Sequence, residues 1–173
     1  LEHQLRDSGA EAIVIAEIFG ASLQAIIGNT AVRCMISTGL GDLATPIDTQ
    51  PESSALAGAI SLRTALSEGH RLPLSAAAPK PDDLAFLQYT GGTTGLSKGA
   101  ELTHGNVVAN VVQIELWLGR QLIRGQETFI TALPLYHIFA LVVNALFGLR
   151  IGARNLLISN PRDMPAFVAT LRD

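Results

Sequence analysis

LAFLQYTGGTTGLSKGAEL, residues 84–102, decides the fold: an apolar strand pattern runs into a cluster of small residues, and a lysine follows. The glycines allow backbone conformations and close approaches that a Cβ would forbid, so successive amide groups can converge on one anion. Threonine hydroxyls add hydrogen-bond donors, and the Lys98 ammonium adds a mobile positive charge. The pattern predicts a loop that binds a polyphosphate. Its candidate phosphate-binding residues are Thr90, Gly91, Gly92, Thr93, Thr94, Gly95 and Lys98.

Two other interpretations apply to the same loop. Glycine and threonine clusters also mark tight solvated hairpin tips, but such a turn needs fewer glycines than this stretch contains. The Walker A loop of nucleoside triphosphatases has Gly, then Lys, then Ser or Thr, whereas here Ser97 precedes Lys98 and Gly99 follows it. The next helix is predicted to begin only near Thr103. We therefore expect loop amides, hydroxyls and the lysine to hold the phosphate, with little contribution from a helix dipole.

Short apolar runs rich in β-branched residues alternate with helical patterns along the chain, which is typical of a parallel sheet covered by helices. The sequence therefore predicts the α/β class, with a mostly parallel sheet flanked by helices. Predicted strands cover residues 12–16, 32–37, 84–89, 129–135 and 155–159. Predicted helices cover residues 1–9, 22–28, 106–119, 138–149 and 164–172, and Thr103 is the predicted N-cap of the third of them.

The composition is that of an ordered chain, because 48% of its 173 residues are hydrophobic and 16% are charged. Twelve basic and fifteen acidic residues give a formal net charge of -3, and no basic run could neutralise a row of phosphates, so we expect no nucleic-acid partner. The single cysteine, Cys34, lies in an apolar run and is predicted to be a buried small hydrophobe without an intrachain disulfide. A reducing, cytoplasmic compartment fits this pattern.

Three segments can be distinguished along the chain. Residues 1–36 and 84–173 read as α/β segments, and residues 37–83 read as a connecting region rich in Pro, Ser and Ala with a short helix at 59–68. The chain opens at Leu1 without a methionine or a signal-peptide pattern, so we expect an internal fragment of a longer protein.

Residues 128–149 carry no Asp, Glu, Lys or Arg and are long enough to cross the roughly 30 Å hydrocarbon core of a membrane. Pro134, His137 and Asn144 interrupt the run, and a strand-like half precedes a helix-like half. We therefore predict a buried strand and helix. The same apolar run leaves open a non-catalytic interpretation, in which the chain is a binding module that packs against a partner or a membrane surface.

The motif YTGGTTGLSKGAELTH, residues 89–104, closely resembles the phosphate-binding signature of the adenylate-forming superfamily of acyl-CoA synthetases, luciferases and peptide synthetase adenylation domains. A second block, ALPLYHIFAL at residues 132–141, resembles the next motif of that superfamily. Residues 1–10, 83–89 and 155–163 are similar to bacterial long-chain fatty acid CoA ligases in particular. The resemblance covers nearly the whole chain and implies an incomplete portion of the large N-terminal domain of such an enzyme.

The resemblance implies that ATP activates a long-chain fatty acid through an acyl adenylate, that pyrophosphate and then AMP leave, and that CoA accepts the acyl group. It gives Tyr136, His137, Phe139 and Leu141 the role of an acyl pocket. Val142 is also expected to line the acyl tunnel beside Phe139 and Leu141, although the same helical spacing fits an ordinary core helix. His137 is expected to contact the acyl group or the adenylate rather than to act as a general base, because a carboxylate is already ionised near pH 7. Peripheral association with the inner face of the membrane, and a homodimer of the full-length enzyme, are further options that the resemblance brings.

Some motifs of the superfamily are absent from this chain. The Tyr-Gly-x-Thr-Glu motif, whose glutamate helps to hold Mg²⁺ in the superfamily, does not occur, since Tyr89 and Tyr136 are the two tyrosines. We therefore expect no metal ligand in this chain and no activity of the fragment alone. The alternatives are a luciferase-like or aryl-acid adenylating enzyme, or the binding module described above.

Overall fold

The structure is a computed structural model that describes residues 1–43, 54, 56–75, 77–91 and 95–172. The chain divides into two units. Unit 1 comprises Leu1–Ala78 and Tyr89–Gly99, and unit 2 comprises Pro79–Gln88 and Ala100–Asp173. The division of the sequence at residues 36 and 83 stays a prediction.

Unit 1 contains a three-stranded parallel sheet in the order β1-β2-β3. The strands are β1 (Ala12–Ala16), β2 (Cys34–Thr38) and β3 (Ile60–Ser61), with Ala12 beside Cys34 and Ile36 beside Ile60. Its helices are α1 (Glu2–Ser8), α2 (Gly20–Gln24) and α3 (Leu62–Gly69), and short 3₁₀ turns lie at Glu17–Phe19 and Ile27–Asn29. The buried core consists of Leu5, Ile15, Leu23 and Leu56.

The glycine-rich loop connects β4 (Leu84–Thr90) to β5 (Lys98–Thr103), and the two strands pair with each other. A connection this short cannot form the crossover that a parallel pair needs, so β4 and β5 form a hairpin. At its base the amide of His104 donates to the carbonyl of Asp83 at 3.0 Å. The sequence did not predict β5 as a strand, because Gly99, Ala100 and Glu101 have low β propensity and form a strand through pairing with β4.

Unit 2 begins its helical part with α4 (His104–Leu118), which the Thr103 side chain caps as predicted. Thr103 and Asn106 form a capping box, which satisfies two amides at the helix start. Strands β6 (Thr128–Thr131) and β7 (Arg154–Leu157) pair in parallel, and a π-helix (Ala140–Phe147) leads into α5 (Gly148–Ile151). Helix α6 (Met164–Thr170) follows β7. The buried core of this unit consists of Val111, Val142, Phe147 and Ile151.

The predicted α/β class is confirmed, since the three strand pairings outside the hairpin are parallel and helices flank both sheets. The strand predicted at 129–135 is shorter in the structure, where β6 ends at Thr131. The Thr131 carbonyl accepts a hydrogen bond from the Ile158 amide at the end of the ladder. Beyond this point Pro134 has no amide with which to continue the pairing. Within the described part of residues 37–83, β3 and α3 are ordered elements. The chain there contributes a strand to the sheet, which the composition did not indicate.

The prediction that Cys34 is buried was wrong, because the structure leaves it exposed. Cys34 is the first residue of β2, and side chains alternate between the two faces of a strand. The fully buried position of β2 is Ser37, which lies on the opposite face. Among the described residues, no helix is long and apolar enough to cross a membrane.

A partly buried polar network links the π-helix to the β6–β7 pair. The Asn155 side-chain amide donates to the Asn144 carbonyl at 2.9 Å, and the Thr131 hydroxyl donates to the Asn155 amide oxygen at 3.0 Å. Gly148 completes the arrangement, because a Cβ at this position would lie 2.8 Å from the Asn155 amide nitrogen and 3.4 Å from the Phe129 ring.

Gly148→Ala is expected to destabilise the protein by about 1–3 kcal/mol, because the added methyl group must displace the Asn155 amide or the Phe129 ring from a packed position. The measurement is urea unfolding followed by circular dichroism. Gly69→Ala is the matched control, since a Cβ on Gly69 would meet nothing within 4 Å. Equal unfolding midpoints for the two variants would contradict the prediction.

An ion-pair cluster joins α4 to α5. Glu115 accepts from Arg150 Nε at 2.6 Å and also pairs with Arg124. The hydrogen bond from Arg150 is the main cause that lowers the pKa of Glu115, the positive charges of both arginines add to it, and partial burial opposes it.

The stabilisation from Glu115 should depend on pH with a defined sign. Because the folded-state pKa is depressed, the contribution is fully present above the unfolded-state pKa of about 4.3 and is lost as the pH falls through the lower folded-state value. Glu115→Gln should therefore differ most from the unsubstituted protein near neutral pH and converge with it in acid. Urea midpoints across this range test the expectation, with the exposed Glu101→Gln as control. A constant difference at all pH values would contradict it.

Candidate functional site

The glycine-rich loop, residues 90–98, begins where β4 ends. Thr90 and Gly91 on one side and Gly95 on the other are exposed, while the predicted ligands Gly92, Thr93 and Thr94 lie outside the described residues. A Cβ added to Gly91 or Gly95 would meet nothing within 4 Å among the described atoms. Side-chain packing within the described chain therefore does not require glycine at either position, and the backbone there is open to close approach by a ligand.

Lys98 is the first residue of β5 and its side chain is exposed. None of the ion pairs among the described residues includes Lys98. Its ammonium group is thus available to an external anion at the edge of the loop. Neither end of the loop is a helix N-terminus, as expected, because the nearest following helix, α4, begins at His104.

Residues of α1 contact Tyr89, which immediately precedes the loop, and Ser97, which lies near its end. The Tyr89 hydroxyl donates to the Asp7 carboxylate at 2.6 Å, and the His3 ring nitrogen Nε2 lies 2.9 Å from the Ser97 carbonyl oxygen. The His3 and Tyr89 rings meet edge to face with their centroids 6.5 Å apart. A Cβ on Gly99 would lie 3.1 Å from the Tyr89 ring, so the ring lies flat against the backbone there. All five residues belong to unit 1.

The hydrogen bond to Asp7 is the main cause that raises the pKa of the Tyr89 phenol, and burial and the Asp7 charge act in the same direction. Tyr89 is therefore a protonated donor at neutral pH. The sequence had indicated only an aromatic strand end at this position. No local pattern could have indicated the pair, because Asp7 and Tyr89 are 82 residues apart in the chain.

The second motif follows β6 in unit 2. The side chains of Tyr136, His137 and Phe139 are exposed, with Tyr136 80% accessible, and Leu141 is half-buried. The Phe139 amide donates to His137 Nδ1 at 3.3 Å, which leaves Nε2 as the nitrogen that carries a proton in the neutral ring. Val142, also expected to line an acyl tunnel, lies in the hydrophobic core instead. Helix α4 begins at His104, two residues before the predicted start, and Asn106 completes its capping box.

An apolar groove of about 620 Å³ lies between β4, α4 and α5 in unit 2. Its walls include Phe86, Val111 and Leu149, and none of the four acyl-pocket candidates is among the described residues that line it. No group of three or more His, Cys, Asp or Glu side chains among the described residues is arranged to hold a metal ion. The location of a magnesium ligand stays a prediction.

Comparison with known proteins gives consistent results. The family described as "AMP-binding enzyme" matches residues 1–173. A long-chain-fatty-acid–CoA ligase of Escherichia coli O6:H1 is 48% identical over 99% of this chain and 33% of its own length, and one of Yersinia pestis is 45% identical with the same coverage. The crystal structure of the anthranilate CoA ligase AuaEII with anthranoyl-AMP superimposes with a TM-score of 0.74 at 22% identity, over 98% of this chain and 30% of that one. This chain therefore spans about a third of the length of the curated relatives it matches.

Proposed function

This chain belongs to the AMP-binding enzyme family, and from that premise we propose that the protein activates a long-chain fatty acid with ATP to an acyl adenylate and then to acyl-CoA, releasing pyrophosphate and AMP. The observation that carries the proposal is the 48% identity, over nearly the whole chain, to a long-chain-fatty-acid–CoA ligase. The chain contributes the phosphate loop and part of the acyl pocket of such an enzyme.

The geometry of the loop supports the first half of this proposal. Thr90, Gly91, Gly95 and Lys98, together with the undescribed Gly92, Thr93 and Thr94, bind the phosphates that leave as pyrophosphate. Negative charge moves onto those phosphates as the substrate carboxylate attacks the α-phosphate. Donors fixed at that place stabilise the transition state more than the ground state, and removal of one such donor costs about 10²-fold or more in rate.

The second motif supports the acyl half. The apolar side chains Phe139 and Leu141 contact the alkyl chain of the substrate, and Tyr136 borders the pocket. His137 presents Nε2–H as a hydrogen-bond donor, because Nδ1 already accepts the Phe139 amide. That donor suits a carboxylate or acyl-adenylate oxygen, and the carboxylate needs no base to remove a proton.

ATP, Mg²⁺ and CoA are the proposed cofactors and co-substrates. The described residues fit an anionic polyphosphate at the loop. Because no group of three or more His, Cys, Asp or Glu side chains lies together among the described residues, we propose that the magnesium ligand is supplied from outside this chain. Peripheral membrane association and a homodimer, both brought by the resemblance, stay predictions.

Exchange of labelled pyrophosphate into ATP tests the function in the natural full-length protein. We expect exchange that depends on a long-chain fatty acid and rises with chain length, whereas benzoate and cinnamate derivatives support little. Exchange with an aryl acid but not with a fatty acid would favour the aryl-acid alternative. Absence of exchange with any acid, together with lipid binding, would favour the binding-module alternative.

A further inference from the structure

Helix α1 contacts both sides of the glycine-rich loop. On the β4 side, Tyr89 immediately precedes Thr90 and donates its hydroxyl to Asp7 at 2.6 Å and more weakly to the Gln4 carbonyl at 3.4 Å. On the β5 side, Ser97 immediately precedes Lys98, and its carbonyl lies 2.9 Å from His3 Nε2. Helix α1 therefore contacts the residue that precedes Thr90 and the residue that precedes Lys98, two of the candidate phosphate-binding residues.

We propose that Asp7 and His3 of α1 are positioning residues for phosphate binding, which act by fixing Tyr89 and Ser97 and thereby the placement of Thr90 and Lys98. This inference rests on the proposed function of the loop. It adds residues that neither the motif nor its spacing identified, since α1 lies far from the loop in sequence.

The chemistry of the contacts suits this task. A hydrogen bond from a phenol to a carboxylate is charge-assisted and among the stronger hydrogen bonds in proteins. The hydrogen bond is 2.6 Å long, and the Tyr89 ring also contacts His3 edge to face and lies against Gly99. These three contacts together restrict the orientation of the ring. Because successive strand residues point to opposite faces, fixing the side chain at 89 also fixes the direction of the side chain at 90.

The functional consequence follows from the glycines of the loop. Glycine-rich backbone has many accessible conformations, and a ligand that binds it must select one of them. Because α1 holds Tyr89 and Ser97 before the ligand binds, less conformational freedom of their neighbours Thr90 and Lys98 is lost on binding. Misplacing a binding group by about 1 Å can cost about 10²-fold in rate, so loss of the α1 contacts should weaken the use of ATP more than the use of the fatty acid.

The test compares single variants of the natural full-length protein by two measurements. Tyr89→Phe removes only the hydroxyl, Asp7→Ala removes its acceptor, and Asp7→Asn keeps an acceptor oxygen. His3→Ala removes the contact to the Ser97 carbonyl, and His3→Gln can keep a donor there. Glu2→Gln, on the same helix, is the matched control, because the partners of its side chain among the described residues are the exposed Arg6 and Asn29.

The first measurement is hydrogen exchange of the amides of residues 95–97 without nucleotide, and it needs no activity. We expect about tenfold faster exchange in Tyr89→Phe, Asp7→Ala and His3→Ala, with Asp7→Asn and His3→Gln closer to the unsubstituted protein. The second is pyrophosphate exchange as a function of ATP concentration. We expect the KM for ATP to rise about tenfold in the same three variants, with an unchanged KM for the fatty acid.

Unchanged hydrogen exchange of the amides of residues 95–97 in all three variants would overturn the proposal. Equal rises in the KM values for ATP and for the fatty acid would overturn it as well. Far-UV circular dichroism identifies a variant that fails to fold, and the conservative Asp7→Asn and His3→Gln variants then carry the test. If the unsubstituted protein exchanges no pyrophosphate, the proposed function fails, whereas the hydrogen-exchange measurement still decides whether α1 fixes the loop.

Discussion

Lys98→Ala is expected to lower the rate of ATP–pyrophosphate exchange by about 10²-fold or more, equivalent to about 2.7 kcal/mol of transition-state stabilisation. The Lys98 ammonium is exposed at the start of β5 and takes part in none of the ion pairs found among the described residues. Its removal should therefore cost charge stabilisation of the departing pyrophosphate while it leaves the fold intact.

Two controls sharpen this prediction. Lys98→Arg keeps the positive charge but replaces a compact, mobile ammonium with a planar guanidinium, so we expect partial activity. Lys80→Ala removes the other lysine of the sequence, which is exposed and lies ten residues before the loop, and should leave the rate unchanged. Combining Lys98→Ala with Thr94→Ala should reduce exchange further. Unchanged exchange in that double variant would show that the loop does not bind the phosphates.

Features that depend on neighbouring residues could be predicted from the sequence. The cap of α4 is one example, because Thr103 and Asn106 are three residues apart and form their hydrogen bonds within a single turn. The end of α1 is another, since Gly9 adopts a left-handed conformation with φ of 63°. The phosphate-loop prediction depends on the same kind of local signal, because its candidate donors are close together in the chain, and it stays a prediction.

Features that depend on distant residues could not be predicted. Strand β3 is two residues long, too short for any periodicity, and exists because Ile60 pairs with Ile36. The helix predicted at 138–149 was correctly placed, but its π-helical form involves the side chain of Asn155, which lies beyond the helix. The contact of Asp7 with Tyr89 likewise joins elements that no local pattern relates.

The site shows the same division. The candidate phosphate-binding residues were predicted from their order in the chain, whereas the contacts of α1 with Tyr89 and Ser97 became evident only from the structure. The acyl-pocket candidates show an intermediate case. Helical spacing placed Phe139 and Val142 together, yet Phe139 is exposed and Val142 is buried in the core, because spacing alone does not say which side of a helix meets a neighbouring element.

Phe147→Ala is expected to destabilise unit 2 by about 3–5 kcal/mol, a large part of the roughly 5–15 kcal/mol that stabilises a typical domain. Phe147 is fully buried, with 0% of its side chain accessible, and stacks on Phe129 with ring centroids 6.0 Å apart. It also packs with Val111 of α4 and Ile151 of α5. Truncation removes contacts to three elements at once and leaves a cavity that α5 and β6 can only partly fill.

Phe139→Ala provides the comparison, because the same residue type eight positions earlier is 55% exposed and its truncation should change stability by about 0.5 kcal/mol. Trp117 is a weak reporter of unfolding, since it is already 87% exposed in the folded state. Urea unfolding followed by circular dichroism, with hydrogen exchange of the β6 and β7 amides, is the better measurement. Phe147→Ala should abolish most of the protection of those amides, whereas Phe139→Ala should preserve it. A similar loss of amide protection in both variants would contradict the prediction. It would mean that the buried Phe147 side chain does not hold the β6–β7 pair against α4.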